Sequence, residues 1–162
     1  MPQKIRKKKR YLTQKTLGKG AFGTVYLAKE EGTNNLYAVK ETFQDSRYKN
    51  REAGILKLVN KHPSIITVHQ MFYTSRSDGK YLNIVMEYMP CSLHDVIQKH
   101  RLQNKFMSEL DIAYYSFELI RACSYLWRLN ICHRDIKPQN IVCDPIKKEI
   151  RLCDFGSAKQ LN

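Results

Sequence analysis

The chain has 162 residues, and its hydrophobic content of 43% is enough to build one ordinary domain around a buried core. Its five cysteines are odd in number and include no CxxC pair, which argues against a disulfide framework or a zinc site and favours a reducing compartment. No apolar run reaches the length of a membrane span, and the N-terminus lacks the apolar stretch of a secretory signal. We therefore expect a cytoplasmic location, with the nucleus as an alternative.

The formal net charge of +13 is concentrated at the N-terminus. Residues 1–15 contain seven Lys or Arg and no acid, and the rest of the chain has 21 basic against 15 acidic side chains. We interpret residues 1–10 as a solvated, disordered basic tail. A nuclear-import signal and a phosphate-binding arm are the alternatives. Nucleic acid is the less favoured partner, because the tail has no interleaved aromatic residue to stack on bases.

Short strand-like segments fill the first half of the chain. Residues 11–41 read as three strands, with a glycine-rich turn between the first two and TNN before the third. A helix is predicted over residues 48–60, and Gly54 inside it costs about 1 kcal/mol relative to Ala, so we expect a loosely held helix. Residues 65–73 and 80–88 read as two further strands on either side of the turn SRSDGK.

The second half is predicted to be mainly helical. Residues 92–95 offer a capping box for a short helix, and residues 108–111 offer another at the start of the longest helix, which runs to about Leu129. Apolar residues form two stripes along that long helix, so we expect it to be packed on several sides. IVC and IRLC are predicted to be short strands flanking the turn DPIKKE.

The first motif is GKGAFGTV, at residues 18–25. It lies between two predicted strands, whereas dinucleotide folds and P-loops place such glycines before a helix. The strand-loop-strand setting is typical of protein kinases, in which small residues let backbone amides approach nucleotide phosphates. An ordinary glycine-rich hairpin is the alternative when the motif is taken alone.

YAVKE places Lys40 on the third predicted strand, where a lysine that contacts the α- and β-phosphates is expected. Its proposed partner is Glu52, on the helix that follows, and such a pair holds the helix against the nucleotide site. Each residue alone could be an ordinary surface charge. Because Gly54 falls where helix continuity would help, we expect the pairing of Lys40 with Glu52 to be weaker or more dependent on a ligand.

HRDIKPQN is the most specific motif. In it, Asp135 has the place of the residue that accepts or orients the substrate hydroxyl proton, and Asn140 has that of a metal ligand. Lys137 could neutralise charge on the phosphoryl group, and its presence favours an aliphatic hydroxyl as the acceptor. Asp154, in the triplet DFG, is the second predicted metal ligand. Four motifs in this order indicate a protein-kinase fold.

The connecting sequence narrows the resemblance. YKNRE (48–52), YLNIVMEY (81–88), ICHRDIKPQN (131–140) and LCDFGSAKQL (152–161) together closely resemble the glycogen synthase kinase 3 family. The resemblance covers nearly the whole chain after the basic tail. It implies an α+β, bilobal protein-kinase-like fold, with a five-stranded antiparallel N-lobe and one helix over 11–87, followed by a hinge and a truncated, mainly helical C-lobe over 88–162.

The resemblance also implies the activity and the nucleotide site. The expected activity is transfer of the γ-phosphoryl group of ATP, with Mg²⁺, to Ser or Thr hydroxyls of protein substrates. Lys40, Glu52, Asp135 and Lys137 would serve catalysis, and Asn140 and Asp154 would hold the metal. Met86 would gate the back pocket, and Cys153 would lie against the nucleotide, where it could react with an electrophile. The full set of implied nucleotide-binding residues is Leu17, Gly18, Lys19, Gly20, Ala21, Phe22, Gly23, Val25, Ala38, Lys40, Met86, Glu87, Met89, Val142 and Cys153.

A pocket for a phosphate already present on the substrate is a further implication. Its three basic residues correspond to Arg51, Arg134 and Lys159, and Arg suits bidentate phosphate binding. Primed sites would therefore be preferred, with the acceptor four residues N-terminal to the phosphorylated residue. Surface charge is the alternative role for Arg51 and Lys159.

The family places its activation loop and most of its larger lobe after DFG, and the sequence ends at Asn162. We therefore expect the long helix to lose packing partners and expose apolar surface. A hydrophobic column built from Val68, Leu56, Phe155 and His133 would lack its base. Two alternatives to an active kinase remain: an inactive nucleotide-binding or interaction module, and, more weakly, a basic nucleic-acid binder.

Overall fold

The computed structural model of the chain describes residues 9–20, 23–45, 50–59 and 62–161. The expected disorder of the basic tail lies outside the described residues, apart from positions 9 and 10. Ala21 and Phe22 of the glycine-rich motif also lie outside them.

A five-stranded antiparallel sheet forms the first half, as predicted. Its strands are β1 (Tyr11–Gly20), β2 (Gly23–Glu30), β3 (Leu36–Phe43), β4 (Val68–Arg76) and β5 (Gly79–Glu87). Their spatial order is β1-β2-β3-β5-β4, and every neighbouring pair is antiparallel. Strand β5, which lies between β3 and β4, contributes Leu82, Ile84 and Val85 to the interior, each no more than 2% exposed.

The fourth strand begins later than predicted. Residues 65–67 are not part of β4, because Ile65 instead forms a parallel bridge with Leu152. The Ile66 amide donates to the Leu152 carbonyl at 3.0 Å, and the Leu152 amide donates to the Ser64 carbonyl at 2.9 Å. This segment therefore joins the five-stranded sheet to the second half of the chain.

One helix, α1 (Arg51–Val59), packs beside the sheet. It begins at Arg51, because the Asn50 side chain accepts a hydrogen bond from the Ala53 amide at 3.0 Å and caps the first turn. Four of its residues at helical spacing are buried: Glu52, Ile55, Leu56 and Val59. The predicted ends at 48 and 60 lie outside the described residues.

The second half contains two longer helices and short strands. The helices are α2 (Leu93–Leu102) and α3 (Glu109–Arg128), with the predicted caps Ser92 and Ser108 accepting from the Asp95 and Asp111 amides. A three-stranded sheet has the order β6-β8-β9, and a two-stranded sheet pairs β10 with β7. These strands are β6 (Cys91–Ser92), β7 (Ile131–Cys132), β8 (Ile141–Asp144), β9 (Glu149–Leu152) and β10 (Lys159–Gln160).

Helix α3 is packed on one side, so the expectation of packing on several sides is wrong. Tyr115, Glu118, Ala122 and Leu126 are its buried residues. Other positions around the helix expose large apolar side chains, as expected: Leu110, Ile112, Phe117, Ile120 and Trp127.

One hydrophobic core connects the two halves. It includes residues of α1, β5, β8, β9 and α3, and Phe155 at its centre is fully buried. A hydrogen bond from the Ser64 hydroxyl to the Glu118 carboxylate also ties the segment before β4 to α3. Among the described helices, none is both long and apolar enough to span a membrane.

Candidate active site

A cleft of about 690 Å³ lies between the five-stranded sheet and the second half of the chain. Its volume is within the range of small-molecule sites, roughly 300–1,000 Å³. Strands β1 and β2 line it from one side, β3 and the end of β5 from the back, and β8 with the residues after β9 from the other side.

The glycine-rich segment spans the end of β1 and the start of β2. Gly18, Lys19, Gly20 and Gly23 all line the cleft, and Gly20 pairs with Gly23 across the two strands. Gly23 has a φ of 122°, and a Cβ there would clash with the Glu41 carbonyl oxygen. A Cβ at Gly18 or Gly20 would meet nothing within 4 Å, so space remains at these two positions for a ligand to approach the backbone.

Lys40 is held between two carboxylates at the back of the cleft. Its Nζ lies 2.7 Å from Glu52 Oε1 and 2.8 Å from Asp154 Oδ1. Strand β3 supplies the lysine, and the buried face of α1 supplies Glu52, so the pair forms despite Gly54. Burial lowers the pKa of Lys40, but the two carboxylates outweigh it and raise the pKa above its ordinary value. Lys40 is therefore a fixed positive charge.

Asp154 occupies a tight left-handed turn after β9. Its φ is 59° and its ψ is 76°, and its side chain accepts from the Gly156 amide at 3.4 Å. A non-glycine residue in this conformation is uncommon and is often associated with function. The turn directs Phe155 into the core, where its ring lies 4.7 Å from the His133 ring between centroids. The same core contains Leu56, with Val68 packed against it, as the predicted column requires.

Asp135, Lys137 and Asn140 form one hydrogen-bonded group. Asp135 Oδ2 accepts from Lys137 Nζ at 2.9 Å and from the Asn140 amide nitrogen at 2.8 Å. The Lys137 hydrogen bond, followed by that of Asn140, lowers the pKa of the Asp135 carboxyl, so it is ionised at neutral pH. The Asn140 amide nitrogen also donates to the Asp135 carbonyl at 2.9 Å, which leaves its amide oxygen as the atom suited to a cation.

The ends of β8 and β9 bring Asn140 beside Asp154. The Cys153 amide donates to the Asn140 carbonyl at 2.9 Å, and Ile141 pairs with Leu152. The described residues include no cluster of three or more His, Cys, Asp or Glu side chains arranged for a metal. Two protein oxygen ligands completed by phosphate oxygens and water are the usual arrangement for Mg²⁺, so the residues present fit that ion.

Glu87, the last residue of β5, is held by hydrogen bonds and an ion pair. The Thr67 amide donates to Glu87 Oε1 at 2.7 Å, and the Glu87 amide donates to the Thr67 carbonyl at 2.9 Å. Arg151 Nε on β9 lies 3.3 Å from the same carboxylate oxygen. The predicted apolar and hinge residues all line the cleft: Leu17, Val25, Ala38, Met86, Glu87, Met89, Val142 and Cys153.

Cys153 lines the cleft but is a poor nucleophile. Burial, followed by the charge of Asp154, raises the pKa of its thiol to about 12. Because the thiolate is the reactive form, little of it exists at neutral pH.

The three basic residues of the predicted phosphate pocket are exposed and are carried by elements that adjoin one another. Lys159 on β10 is paired with Cys132 on β7, two residues before Arg134, and β10 contacts α1, which begins at Arg51. Arg134 has a φ of 66°, and its Nε donates to the Ser157 carbonyl at 2.6 Å. No contact joins the three side chains directly among the described interactions.

Sequence reasoning missed several residues that line the cleft. Asp95 is one of these lining residues. In the capping box of α2, its side chain turns back towards the start of the helix and accepts a hydrogen bond from the Ser92 amide at 2.8 Å. Gln139 reaches His94, with Nε2 at 3.3 Å from Nδ1. The capping box and the PQN segment were visible in the sequence, but nothing in them indicated that the fold brings them together. The residues missed are Leu56, Ile66, Tyr88, Pro90, Cys91, Ser92, His94, Asp95 and Gln139.

Comparison with known families agrees with this geometry. The model of the protein kinase domain matches residues 11–162. The chain belongs to the protein kinase domain family. The resemblance of the motifs to those of protein kinases is therefore confirmed at the level of the family and the fold.

Two curated relatives are informative. The serine/threonine-protein kinase RIM11/MSD1 of Saccharomyces cerevisiae is 45% identical over 151 residues, covering 92% of this chain and 40% of that protein. Glycogen synthase kinase 3 of Trypanosoma brucei brucei is 39% identical over 160 residues, covering 94% of this chain and 46% of that protein. The chain thus spans less than half the length of each of these relatives. The name of the trypanosome protein is that of the family that the motifs resemble.

Proposed function

We propose that the protein transfers the γ-phosphoryl group of ATP to Ser or Thr hydroxyls of other proteins. The observation that supports this most directly is the position of Lys40, 2.7 Å from Glu52 and 2.8 Å from Asp154 at the back of the cleft. A phosphoryl-transfer site needs a fixed positive charge for phosphates and carboxylate or amide oxygens for a metal. Both are provided in one cleft by residues of separate elements.

The nucleotide is proposed to lie between the glycine-rich segment and β8. Leu17 and Val25 would contact one face of the adenine ring and Val142 the other, while the backbone of Glu87 and Met89 would bind its edge. The hydrogen bond from the Thr67 amide to Glu87 and the ion pair of Glu87 with Arg151 support this, because they fix the end of β5, whose backbone would recognise the base. The open space at Gly18 and Gly20 would admit phosphate oxygens.

Asn140 and Asp154 are proposed to hold Mg²⁺, which would neutralise the phosphate charge when bound. Asp135 would accept a hydrogen bond from the substrate hydroxyl and orient it for attack. Its lowered pKa makes it a positioning acceptor that is always ionised near neutral pH. Lys137, already 2.9 Å from Asp135, would contact the transferred group.

A preference for primed substrates is the finer part of the proposal. Arg51, Arg134 and Lys159 are exposed basic residues on adjoining elements and could converge on one phosphate of the substrate. The name of the trypanosome relative supports the same family resemblance. A cytoplasmic or nuclear location is also proposed, because the five cysteines are odd in number and include no CxxC pair.

An inactive nucleotide-binding or interaction module is the second candidate. The exposed apolar face of α3 favours it, because such a surface is typical of a region that associates with another segment or protein. The two candidates differ in one measurable property. A kinase and a nucleotide-binding module would both bind ATP, but only the kinase would transfer phosphate.

Phosphoryl transfer to peptides tests the proposal. We expect transfer to a Ser peptide that bears a phosphoserine four residues C-terminal to the acceptor, and at least tenfold less transfer to the unphosphorylated peptide. Asp135→Asn should reduce transfer by roughly 10²–10⁴-fold while nucleotide binding persists. Asp144→Asn is the matched control, because Asp144 does not line the cleft and its contacts, the cap of the turn after β8 and the ion pair with Lys147, are local. Nucleotide binding without transfer in the wild-type chain would favour the inactive module.

A further inference from the structure

Two cysteines face each other beside the nucleotide cleft. Cys91 on β6 and Cys143 on β8 are directly opposite residues of an antiparallel pair. Their Sγ atoms lie 3.6 Å apart, and the Cys91 thiol also lies 3.5 Å from the Cys143 carbonyl oxygen. Both thiols are free. The proposed phosphoryl transfer uses neither of them.

The positions suit a disulfide. Opposite residues of an antiparallel pair have Cα atoms about 4.5–5.5 Å apart, within the range of roughly 4.4–6.8 Å found in disulfides. The sulfur atoms would have to approach from 3.6 Å to about 2 Å, which a change in side-chain torsion angles and a small shift of the two-residue strand β6 can supply. We propose that Cys91 and Cys143 form a reversible intramolecular disulfide by exchange with a low-molecular-weight disulfide.

The environments of the two thiols define the order of the steps. Cys91 is partly exposed and lines the cleft, whereas Cys143 is fully buried. The Cys91 thiolate would attack the small disulfide, form a mixed disulfide and release one small thiolate, which takes up a proton. Cys143, after losing its proton, would then attack Cys91 Sγ and release the second small thiolate. In total, two protein thiols are oxidised and one small disulfide is reduced to two thiols.

The pKa shifts of the two thiols agree with this order of steps and indicate that thiol–disulfide exchange is slow at neutral pH. Burial raises the pKa of Cys91, while the hydrogen bond from Cys143 opposes that rise. Burial, followed by the same hydrogen bond, raises the pKa of Cys143 to about 12. The thiolate therefore forms first at Cys91. Because thiolates are scarce for both residues, exchange should accelerate as the pH rises.

The cross-link would tie the start of α2 to β8. Its two residues are 52 positions apart, so it closes a long loop and restricts the unfolded chain. The thermal midpoint should therefore rise by roughly 5–10 °C on oxidation. This inference goes beyond the proposed phosphoryl transfer and does not depend on it.

Equilibration in glutathione redox buffers tests the proposal. The reduced chain is incubated at several ratios of oxidised to reduced glutathione, at pH 7 and pH 8.5, then quenched with acid, alkylated and digested with trypsin. Lys and Arg residues separate all five cysteines, so each falls in its own tryptic peptide. Mass spectrometry should identify one cross-linked pair, residues 81–99 joined to 135–147, with faster formation at pH 8.5 and complete reversal by reductant.

Two controls make the result decisive. Cys91→Ser should abolish both the cross-link and the rise in thermal midpoint, whereas Cys123→Ser on α3 should preserve both. Oxidation in 8 M urea should distribute the disulfides over several cysteine pairs. A mixed glutathione adduct that persists on Cys91, or the same pairing pattern in urea as in native buffer, would overturn the proposal.

Discussion

Lys40 is the residue on which the electrostatics of the cleft depend. It is 5% exposed and bonds to Glu52 and Asp154, which come from α1 and from the turn after β9. One side chain therefore connects the sheet, the helix and the turn that contains Asp154. Removing its charge would leave two carboxylates close together with no positive partner, and one of them is buried.

Lys40→Met should lower both stability and nucleotide binding. Breaking a buried ion pair by removing one partner costs about 3 kcal/mol in the free energy of unfolding, which urea denaturation measures. Lys57→Met is the matched control, because Lys57 lies on the exposed side of α1 and should change stability by less than about 0.5 kcal/mol. Equal stability of the two variants would contradict the role assigned to Lys40.

His133 should make stability depend on pH. Its Nε2 is 3.0 Å from the Cys153 carbonyl oxygen, and its Nδ1 accepts from the Asp135 amide at 3.3 Å, so the neutral ring is the bonded form. Burial lowers its pKa below the ordinary value of 6.5. As the pH falls below that value, the unfolded chain takes up a proton that the folded chain does not, so stability decreases.

Urea denaturation between pH 7.5 and pH 5 measures this effect. The free energy of unfolding should fall with pH in the wild-type chain, and His133→Gln should flatten the decrease. His62→Gln provides the comparison, because His62 is only half-buried and its pKa is also lowered, by partial burial and then by the charge of Arg121. A wild-type slope that His133→Gln leaves unchanged would contradict the prediction.

At the scale of single residues, the motifs predicted which side chains lie close together. Lys40, Glu52, Asn140 and Asp154 line one cleft, and Asp135 is hydrogen-bonded to Asn140. Their spacing in the sequence reflects their places on strand, helix and turns. The sequence did not predict Asp95 or Gln139 as cleft residues. Their local patterns indicate only a helix cap and a turn, and their position depends on packing between distant segments.

At the scale of elements, Gly54 marks a weak point of α1. The glycine is exposed, and a Cβ there would meet nothing within 4 Å. Gly54→Ala should therefore raise the free energy of unfolding by roughly 0.5–1 kcal/mol, since alanine restricts the unfolded chain and favours helix. The loose hold of α1 stays a prediction, which this variant tests by denaturation.

Gly32→Ala is the contrasting variant. Its site is equally open, but its φ is 77°, in the left-handed region that disfavours a Cβ. It should destabilise the chain, where Gly54→Ala stabilises it. Effects of the same sign in both variants would show that open space alone, rather than backbone conformation, decides the outcome.

The exposed face of α3 should govern association. Ile120 is 65% exposed and Phe117 is 58% exposed, and both lie opposite the buried side of the helix. Ile120→Lys should reduce self-association, measured by light scattering, with a change in stability below about 0.5 kcal/mol. Ala122→Lys, on the fully buried side, should instead unfold the chain. Unchanged scattering in Ile120→Lys would contradict the assignment of this face.

The sequence predicted the order and type of most elements, but not how α3 packs or where β4 begins. Apolar stripes on both sides of α3 predicted burial on several sides, yet periodicity records which residues are apolar and not which neighbours are present. Residues 65–67 have strand-like composition, and they bond to β9 because the fold brings Leu152 against them. In both cases tertiary contacts outweighed the local pattern.

At the scale of the whole molecule, the kinase fold requires both halves of the chain to form one nucleotide site. The residues that would bind ATP come from β1, β2, β3, α1 and β5 on one side, and from Asn140, β8 and the turn after β9 on the other. A single hydrophobic core joins these parts, with Phe155 fully buried beside His133. Nucleotide binding therefore reports on the assembly of the entire described structure.

Thermal unfolding in the presence of ATP tests this account most directly. At a Mg-ATP concentration about 100-fold above its dissociation constant, the midpoint should rise by roughly 5–10 °C, and the rise should require Mg²⁺. Asp154→Asn, which can still accept a hydrogen bond from Lys40, should lose most of the Mg²⁺-dependent part of the rise. An unchanged midpoint with Mg-ATP, or the same rise with and without Mg²⁺, would contradict the account.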